Sequence, residues 1–537
     1  MGTMTAYWTH SLHKQIHAIP DGSPIDHLRI LHGEVGSAQL LIANSPMHTL
    51  VTATVESRLN ARLRRVATVP VRMTALDNAD EWYLSKEPGL YPDMLEDMHP
   101  FWVHTGRTET LWLDVRADES VPTGDYPVTV RLATADETTE YTLNVTVLAE
   151  TLPKQTVCST MWFHSDCLAD YYRVPVFSEE YWTITERFMR ALAETGITMI
   201  LTPIFTPPLD TEIGHERTTV QLTDVTVQPD GTYTFGFDRL KRWIDTAQRC
   251  GLTDFEMAHL FTQWGAQAAP KVVAHTPDGD RRIFGWDTPA DGDAYQNFLA
   301  AFLPTLTAQL RAWGIAERCR FHLSDEPSEP HLPHYLALKQ RIAPYLKGFV
   351  LMDALSRYEF YEQGAVDQPV VSLNHVQPFL DHGMKPLWVY YCCGQGDCCV
   401  SNRFMTMPSL RNRVLGFQMY LHGAVGFLQW GFNFYNSSRS LYPINPFYVT
   451  DADGAFPSGD AFVVYPGADG SPIGSIRQMV FAEAMQDYRL CECVAAKIGA
   501  ERVRELIRTG GVRSFFDCDH APERLLALRE KLLDQLI

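Results

Sequence analysis

The sequence contains no long apolar run and carries no excess of positive charge. No stretch of roughly 18 apolar residues occurs, and residues 1–20 lack the continuous apolar segment of a secretory signal peptide. We therefore expect a cytoplasmic protein without a membrane-spanning segment. The formal net charge of -19 disfavours nucleic acids and anionic membranes as partners, because binding to them depends on lysine and arginine displacing counterions from phosphate.

A disulfide framework and a metal-binding pattern are also missing. The 11 cysteines are an odd number in a chain without a secretion signal, which favours reduced thiols. The densest group lies in the segment YYCCGQGDCC, but its spacing does not match that of a zinc site; its members are Cys392, Cys393, Cys398 and Cys399. No metal ion or other cofactor is predicted.

The remaining composition is that of an ordinary globular protein. Hydrophobic residues make up 45% of the chain and charged residues 20%, values that indicate neither disorder nor a fibrous class. At 537 residues the chain is longer than a single hydrophobic core supports, so two or more domains are expected. No internal repeat or low-complexity segment interrupts it.

Residues 1–152 are predicted to form an N-terminal antiparallel β-sandwich. Short segments alternate apolar and polar residues, as strands with one buried face do. The clearest cover residues 110–116, 126–132 and 141–148. The turn VPTGD places proline and glycine between two of them, and the pattern changes after residue 152.

Residues 153–537 are predicted to form a (β/α)₈ barrel of the TIM type, an α/β fold, with C-terminal helices. Strand-like segments alternate with helical ones, which is typical of a parallel sheet with crossover helices. The eight candidate strands are residues 157–163, 198–203, 254–259, 320–324, 348–352, 369–373, 387–391 and 426–430. The predicted helices are residues 181–195, 237–250, 295–313, 334–345 and 409–422, with further helices in residues 475–537.

In such a barrel the catalytic side chains lie at the C-terminal ends of the strands. Histidines, amides and aromatic residues follow several of the predicted strands, and this combination favours a sugar-binding pocket. The predicted substrate-binding residues are His164, His259, Trp264, Asn374, Tyr391, Trp430 and Asn433. Aromatic residues at these positions can instead be ordinary packing, so both interpretations stay open here.

The strongest local signal is RFHLSDEP, residues 320–327, in which an apolar strand leads directly into Asp325 and Glu326. Neighbouring carboxylates tend to acquire separate pKa values, so that one is ionised while the other acts as a general acid. The alternative is that one acid caps the following helix and the other forms an ion pair. Glycoside hydrolysis commonly uses two carboxylates, and in its substrate-assisted form the 2-acetamido group of the sugar is the nucleophile. Both acids can then come from one strand end.

The chain resembles a bacterial family known as domain of unknown function 4091, which is related to glycoside hydrolase family 123. The resemblance covers most of the chain. It rests on PGLYPD (88–93), VPTGDYPVTV (121–130), HLFTQWGA (259–266), HLSDEP (322–327), the loop 391–402, GFLQWGFN (426–433) and the segment 459–490. The characterised activity of family 123 is that of a β-N-acetylgalactosaminidase.

By this resemblance Asp325 would orient the acetamido group and stabilise an oxazolinium intermediate, while Glu326 would act first as acid and then as base. Trp430 would form the floor under the sugar, with His259 and Trp264 beside it. The expected activity is the release of terminal β-linked N-acetylhexosamine, with N-acetylgalactosamine as the first candidate, from an oligosaccharide or glycoconjugate with retention of configuration.

Three other functions remain open from the sequence. A retaining glycosidase could act on a sugar without the acetamido group, with Asp325 or another carboxylate as nucleophile and Asp166 or Asp353 as a partner. A carbohydrate-binding protein could use the aromatic residues without turnover. A metal-dependent hydrolase is less favoured, because no His-x-His pair marks the first predicted barrel strand. The exact sugar, the linkage, the aglycone and the oligomeric state also stay open.

Overall fold

The N-terminal part of the chain is built from ten strands. The computed structural model describes residues 4–43, 47–76, 79–327 and 329–537. The strands are β1 (Thr5–His10), β2 (His27–His32), β3 (Val35–Ala43), β4 (Thr49–Ser57), β5 (Asn60–Val71), β6 (Gly89–Asp97), β7 (Phe101–Val103), β8 (Glu109–Arg116), β9 (Gly124–Ala133) and β10 (Thr138–Thr151).

These strands form two five-stranded sheets around one buried core. The orders are β1-β3-β8-β5-β6 and β2-β10-β9-β4-β7. Alternate residues of β8 and β9 point inward, so that Leu111 and Leu113 share a core with Val128 and Val130. Neighbouring strands run antiparallel, with β2 and β10 as a parallel exception. The predicted N-terminal antiparallel sheets are confirmed.

The second part of the chain contains the barrel. Its strands and those of its insertions are β11 (Cys158–Met161), β12 (Met199–Thr202), β13 (Asp224–Val227), β14 (Tyr233–Gly236), β15 (Asp254–Met257), β16 (Val272–Thr276), β17 (Gly279–Phe284), β18 (Cys319–Phe321), β19 (Val350–Leu355), β20 (Gln368–Ser372), β21 (Leu387–Tyr390) and β22 (Ala424–Gln429). A closed barrel has the order β11-β12-β15-β18-β19-β20-β21-β22, and its paired strands are parallel. Each of the eight predicted strands overlaps one of these, so the predicted barrel is confirmed.

A further sheet with the order β14-β13-β16-β17 is formed by insertions after β12 and β15. The sequence analysis did not predict it, because strands of only four residues such as β13 and β14 give little periodic signal. Both insertions follow the C-terminal ends of barrel strands and therefore enlarge the rim where chemistry is expected. A two-stranded sheet of β23 (Tyr465–Pro466) and β24 (Pro472–Ile473) follows the barrel.

The helices surround the barrel and close the chain. They are α1 (Ser165–Tyr172), α2 (Glu179–Glu194), α3 (Asp238–Cys250), α4 (Asp293–Ala312), α5 (Leu332–Ile342), α6 (Tyr358–Glu362), α7 (Gln377–Asp381), α8 (Ser409–Arg413), α9 (Leu415–His422), α10 (Ile476–Ile498), α11 (Ala500–Thr509) and α12 (Pro522–Asp534). Within the described ranges, none of them has the length and apolar character needed to cross a membrane.

Buried ion pairs fasten the sandwich to the barrel. Arg477 of α10 donates two hydrogen bonds of 2.8 Å to Asp93 of β6. Arg411 of α8 lies 2.8 Å from Asp80, in the segment after β5. Removing one partner of such a pair leaves an uncompensated buried charge, so these contacts hold the two parts in one fixed arrangement.

Candidate active site

A cavity of about 130 Å³ lies at the C-terminal ends of the barrel strands. The residues that line it come from the ends of most of the barrel strands or from the loops that follow them, as expected for a TIM-barrel active site. They are Trp162, Leu209, Asp210, Gln263, Trp264, Asp325, Glu326, Ala354, Tyr390, Tyr391, Cys392, Cys393, Leu428, Trp430 and Phe456.

Asp325 and Glu326 form one wall of the cavity, directly after β18. Asp325 is half-buried and Glu326 is exposed. The hydroxyl of Tyr390, the last residue of β21, donates a 2.6 Å hydrogen bond to Glu326 Oε1. Burial raises the pKa of Asp325 well above its usual value, and the negative charges of Glu326 and Asp353 raise it further. Without a ligand, Asp325 therefore tends to hold a proton next to Glu326.

A buried polar layer supports this wall from beneath. His322 Nδ1 lies 2.8 Å from Asp353 Oδ1, and its Nε2 lies 2.5 Å from Glu256 Oε1. Burial disfavours the charged imidazole, but the two carboxylates outweigh it and raise the pKa of His322 to about 10. Glu256 also accepts hydrogen bonds of 2.7 Å from Thr160 and from the Trp162 indole. The layer thus fixes Trp162 and places a buried cation close to the acid pair.

This arrangement predicts a pH-dependent contribution to stability. A histidine whose pKa rises on folding from 6.5 to about 10 stabilises the fold fully below pH 6.5, and this contribution is lost as pH rises towards 10. The free energy of unfolding, measured by urea denaturation, should therefore fall more steeply across this range for the wild type than for His322→Gln. Replacing the exposed His382 in the same way serves as control. Equal slopes for wild type and His322→Gln would contradict the assignment.

The wall opposite the acid pair is aromatic. Trp430 follows β22, which lies four positions from β18 in the ring of eight strands. Its indole Nε1 donates a 2.8 Å hydrogen bond to Asp460 Oδ2, and its ring packs edge-on against Phe456 at 4.8 Å. Trp264 comes from the loop after β15, the strand next to β18, and therefore stands beside the acid pair; it is 44% exposed. Aromatic rings facing carboxylates across a small cavity suit the apolar faces and hydroxyl groups of a sugar.

Backbone strain is concentrated in this cavity. Three of its lining residues are not glycine and yet have positive φ: Asp210 (39°), Trp264 (60°) and Glu326 (41°). Side chains other than glycine adopt this region at a cost, and such residues cluster where a function requires one side-chain direction. The strain therefore supports the assignment of the cavity as a functional site.

The profile of the glycoside hydrolase 123 catalytic domain matches residues 162–494, more than half of the chain. The chain belongs to glycoside hydrolase family 123. A family 123 glycoside hydrolase from Clostridium perfringens, described in connection with glycolipid glycan hydrolysis, has a similar fold. Its TM-score is 0.73 at 13% sequence identity, over 99% of this chain and 98% of that chain.

Two further solved glycosidases show a weaker likeness to the chain. A β-D-glucuronidase from Dictyoglomus thermophilum gives a TM-score of 0.35 at 10% identity, over 84% of this chain and 66% of that chain. A family 5 mannosidase from Rhizomucor miehei gives 0.35 at 12%, over 69% of this chain and 97% of that chain. These two likenesses are too weak to bear on function. No curated protein matches the chain.

Family membership makes the chain a glycoside hydrolase with a carbohydrate substrate. All the residues that line the cavity, from Trp162 to Phe456, fall inside the matched segment. Three of the seven predicted substrate-binding residues also line it, namely Trp264, Tyr391 and Trp430. The other four, His164, His259, Asn374 and Asn433, are not among the lining residues.

His164 and Asn433 hold the loop that carries Trp430. His164 Nε2 lies 2.9 Å from the Trp430 carbonyl, and its Nδ1 faces Arg217 at 3.1 Å. Burial, assisted by the Arg217 charge, lowers the pKa of His164 to about 3. Asn433 accepts a hydrogen bond from the His164 backbone N–H and donates another to its carbonyl, at 2.9 and 3.0 Å. In this hydrolase both residues contact the Trp430 loop and neither lines the cavity.

His259 and Asn374 have other surroundings. The His259 ring is fully buried and stacks on His322 with ring centroids 4.3 Å apart. Burial lowers the pKa of His259 well below its usual value, and the positive charge of His322 adds to this. Asn374 accepts hydrogen bonds from Ser372 at 2.5 Å and from Gln395 at 3.2 Å, which ties together the loops after β20 and β21.

One group of side chains has the composition of a metal site. Ligand atoms of His259, His322 and Asp353 lie within 4.8 Å of one another, and in the described part of the chain no other such group is found. A metal ligand must offer a free lone pair. Both nitrogens of His322 face carboxylates, which raise its pKa to about 10, so His322 and Asp353 fit an ion-pair network better than a bound cation. The two ring nitrogens of His259 have no hydrogen-bond partner among the described residues.

The carboxylates considered as alternative partners are engaged elsewhere. Asp166 receives a 2.7 Å hydrogen bond from Arg217 Nε. Asp353 is buried against His322 and also accepts a hydrogen bond from Tyr335. Neither lines the cavity. A carboxylate that the sequence analysis missed, Asp210, does so instead.

Tyr390 was also missed, although its neighbour Tyr391 was predicted. Successive residues of a strand point to opposite faces. The Tyr390 hydroxyl reaches Glu326, whereas the Tyr391 hydroxyl donates a 2.9 Å hydrogen bond to the buried Asn412. The signal that could have found Tyr390 is its position as the last residue of a barrel strand.

This difference gives a paired prediction. Tyr390→Phe should lower kcat/KM about tenfold or more, because it removes a hydrogen bond to a carboxylate that lines the cavity, and hydrogen bonds to charged groups are worth about 1.5–3 kcal/mol. Tyr391→Phe should mainly lower the melting temperature. Kinetics and thermal unfolding of the two variants check this, and a larger kinetic loss in Tyr391→Phe would reverse our assignment.

Only the first part of the cysteine-rich loop lines the cavity. Cys392 and Cys393 line the cavity, whereas Cys398 is exposed and the Cys399 thiol donates to Glu81 at 3.5 Å. Replacing all four by serine should keep activity within about tenfold, roughly 1.4 kcal/mol of barrier, if this loop is only a wall. Loss of stoichiometric zinc together with activity would contradict that role.

Proposed function

We propose that this family 123 hydrolase releases terminal β-linked N-acetylhexosamine by substrate-assisted catalysis with retention of configuration. N-acetylgalactosamine is the expected sugar. The observation that carries the proposal is the adjacent acid pair, Asp325 and Glu326, which comes from one strand end and lines a cavity facing Trp430. Two neighbouring acids can serve the acetamido group and the glycosidic oxygen of one sugar at the same time.

In the proposed mechanism, Glu326 must be protonated and Asp325 ionised when the glycosidic bond breaks. In the free enzyme the raised pKa of Asp325 favours a proton on that residue. An acetamido N–H that donates to Asp325 stabilises its carboxylate form. The Tyr390 hydroxyl, 2.6 Å from Glu326 Oε1, holds that side chain in place for the transfer. Substrate binding thereby favours the ionised form of Asp325 that the proposed mechanism requires.

The chemical sequence follows from this arrangement. The acetamido oxygen attacks the anomeric carbon while Glu326 protonates the leaving oxygen, and the aglycone departs as an alcohol. Asp325 accepts a hydrogen bond from the N–H of the resulting oxazolinium ion and stabilises its positive charge. Glu326, now ionised, removes a proton from water as the water attacks the same carbon and opens the ring. Each attack inverts the carbon, so the product has the configuration of the substrate.

Matched aryl β-glycosides test the proposal. The enzyme should hydrolyse the aryl N-acetylgalactosaminide, and the parent galactoside with a 2-hydroxyl should be a far poorer substrate, because it lacks the nucleophile. The aryl N-acetylglucosaminide reports how far the cavity separates the two N-acetylhexosamines. Equal turnover of the galactoside and the N-acetylgalactosaminide would overturn substrate assistance in favour of direct attack by a carboxylate.

A further inference from the structure

Asp210 is a third carboxylate that lines the catalytic cavity, and the mechanism above does not use it. It lies in the loop after β12. In the barrel β12 is two positions from β18, so Asp210 approaches the cavity from the side, between the wall of Asp325 and Glu326 and the opposite wall of Trp430.

The loop around Asp210 is built to hold this residue. Its backbone N–H donates a 2.6 Å hydrogen bond to Gln263 Oε1, and its carbonyl accepts one of 2.7 Å from the Ser440 hydroxyl. Its Oδ2 accepts a 2.9 Å hydrogen bond from the Arg439 backbone N–H. The φ of Asp210 is 39°, a backbone conformation that is strained for a residue other than glycine. Contacts from two other loops thus fix where the carboxylate stands.

The charge of Asp210 is only partly compensated by the protein. Arg217 and Arg439 favour its ionised form, but the guanidinium of Arg439 bonds Glu212 at 2.7 Å and that of Arg217 bonds Asp166 at 2.7 Å. Burial raises the pKa of Asp210 to about 6, so the group is ionised at neutral pH. Among the described residues its carboxylate receives a single hydrogen bond, whereas a carboxylate has about four acceptor sites. The unused sites belong to a group that lines the cavity.

We propose that Asp210 accepts hydrogen bonds from ring hydroxyls of the sugar in this cavity and determines which hydroxyl pattern is turned over. The inference rests on the proposed function. The anomeric carbon and the acetamido group are placed at Asp325 and Glu326, so the partners of Asp210 are hydroxyls at C3, C4 or C6. A carboxylate distinguishes sugars well, because a missing or misdirected hydroxyl leaves it desolvated and unpaired.

The test combines Asp210 variants with deoxy substrates. The kcat/KM values of wild type, Asp210→Asn and Asp210→Ala are measured on the aryl N-acetylgalactosaminide and on its 3-, 4- and 6-deoxy analogues. The wild type should lose about ten- to a hundredfold on at least one analogue, the range of a hydrogen bond to a charged group. On the parent substrate, the kcat/KM of the variants should be lower than that of the wild type by a similar factor. For the variants, changing from the parent substrate to that analogue should lower kcat/KM almost no further. If Asp210 had a purely structural role, its replacement would lower kcat/KM by the same factor for all four substrates.

Glu212→Gln is the matched control. Glu212 lies in the same loop as Asp210 and pairs with Arg439 of the loop after β22, but it does not line the cavity, so this variant should keep the wild-type pattern across the deoxy series. Uniform losses across the series in the Asp210 variants, or a collapse of kcat on every substrate, would overturn the inference. If the wild type instead prefers the sugar without an acetamido group, the proposed function fails, and the deoxy series of that sugar still tests Asp210.

Discussion

Glu326→Gln should reduce kcat/KM about 10²- to 10⁴-fold for glycosides with poor leaving groups, the usual contribution of a general acid. Aryl glycosides with highly activated leaving groups should lose much less in the bond-breaking step, since their departing oxygen needs no proton. Glutamine keeps the size of the side chain and can still accept the Tyr390 hydrogen bond, so the variant should fold normally. Steady-state kinetics on a series of leaving groups measure the difference.

The neighbouring Glu329 provides the matched control for this experiment. It is an exposed carboxylate three residues further along the chain, paired with Arg357 at 3.6 Å. Glu329→Gln should leave both classes of substrate unaffected. An equal loss on activated and unactivated substrates in Glu326→Gln would show that Glu326 does not donate the proton.

Asp325→Asn should lower kcat about 10²- to 10³-fold, the usual cost of removing one group that stabilises charge in the transition state. The interaction between Asp325 and the acetamido N–H strengthens as the oxazolinium charge develops, so KM should change much less. The variant also removes a half-buried carboxyl group whose pKa is raised by burial and by the charges of Glu326 and Asp353, so its stability should be equal to or greater than that of the wild type.

Separate values of kcat and KM together with the melting temperature check this prediction. A loss that falls on KM alone would show that Asp325 only binds the ground state. A lower melting temperature that accounts for the lost activity would show that its role is structural.

The barrel could be predicted because its strands are short apolar segments at regular intervals, separated by amphipathic helices. Segments such as β20, with Val370 and Val371 fully buried, carry that signal in their composition. The rule that places chemistry at the C-terminal strand ends then led to Asp325 and Glu326, since both directly follow β18. This acid pair could be found from the sequence because its two residues are adjacent in the chain and follow a single strand.

Other parts of the site depend on distances that sequence does not contain. Asp210 follows β12 by a loop of eight residues, and only contacts with Ser440 and Arg439, more than 200 residues away, bring it to the cavity. His164 was correctly placed at a strand end, yet its ring faces Arg217 and not the cavity. Strand position predicts which end of the barrel a residue occupies, but long-range packing decides which way its side chain turns.

The central claim is that the substrate's own acetamido group attacks the anomeric carbon with the help of Asp325 and Glu326. It is tested most directly by kcat/KM for aryl N-acetylgalactosaminides whose N-acetyl group carries zero, one, two or three fluorine atoms. Fluorine weakens the carbonyl oxygen as a nucleophile, so the account predicts a progressive and steep fall in rate along the series. A rate that does not respond to fluorination would contradict it.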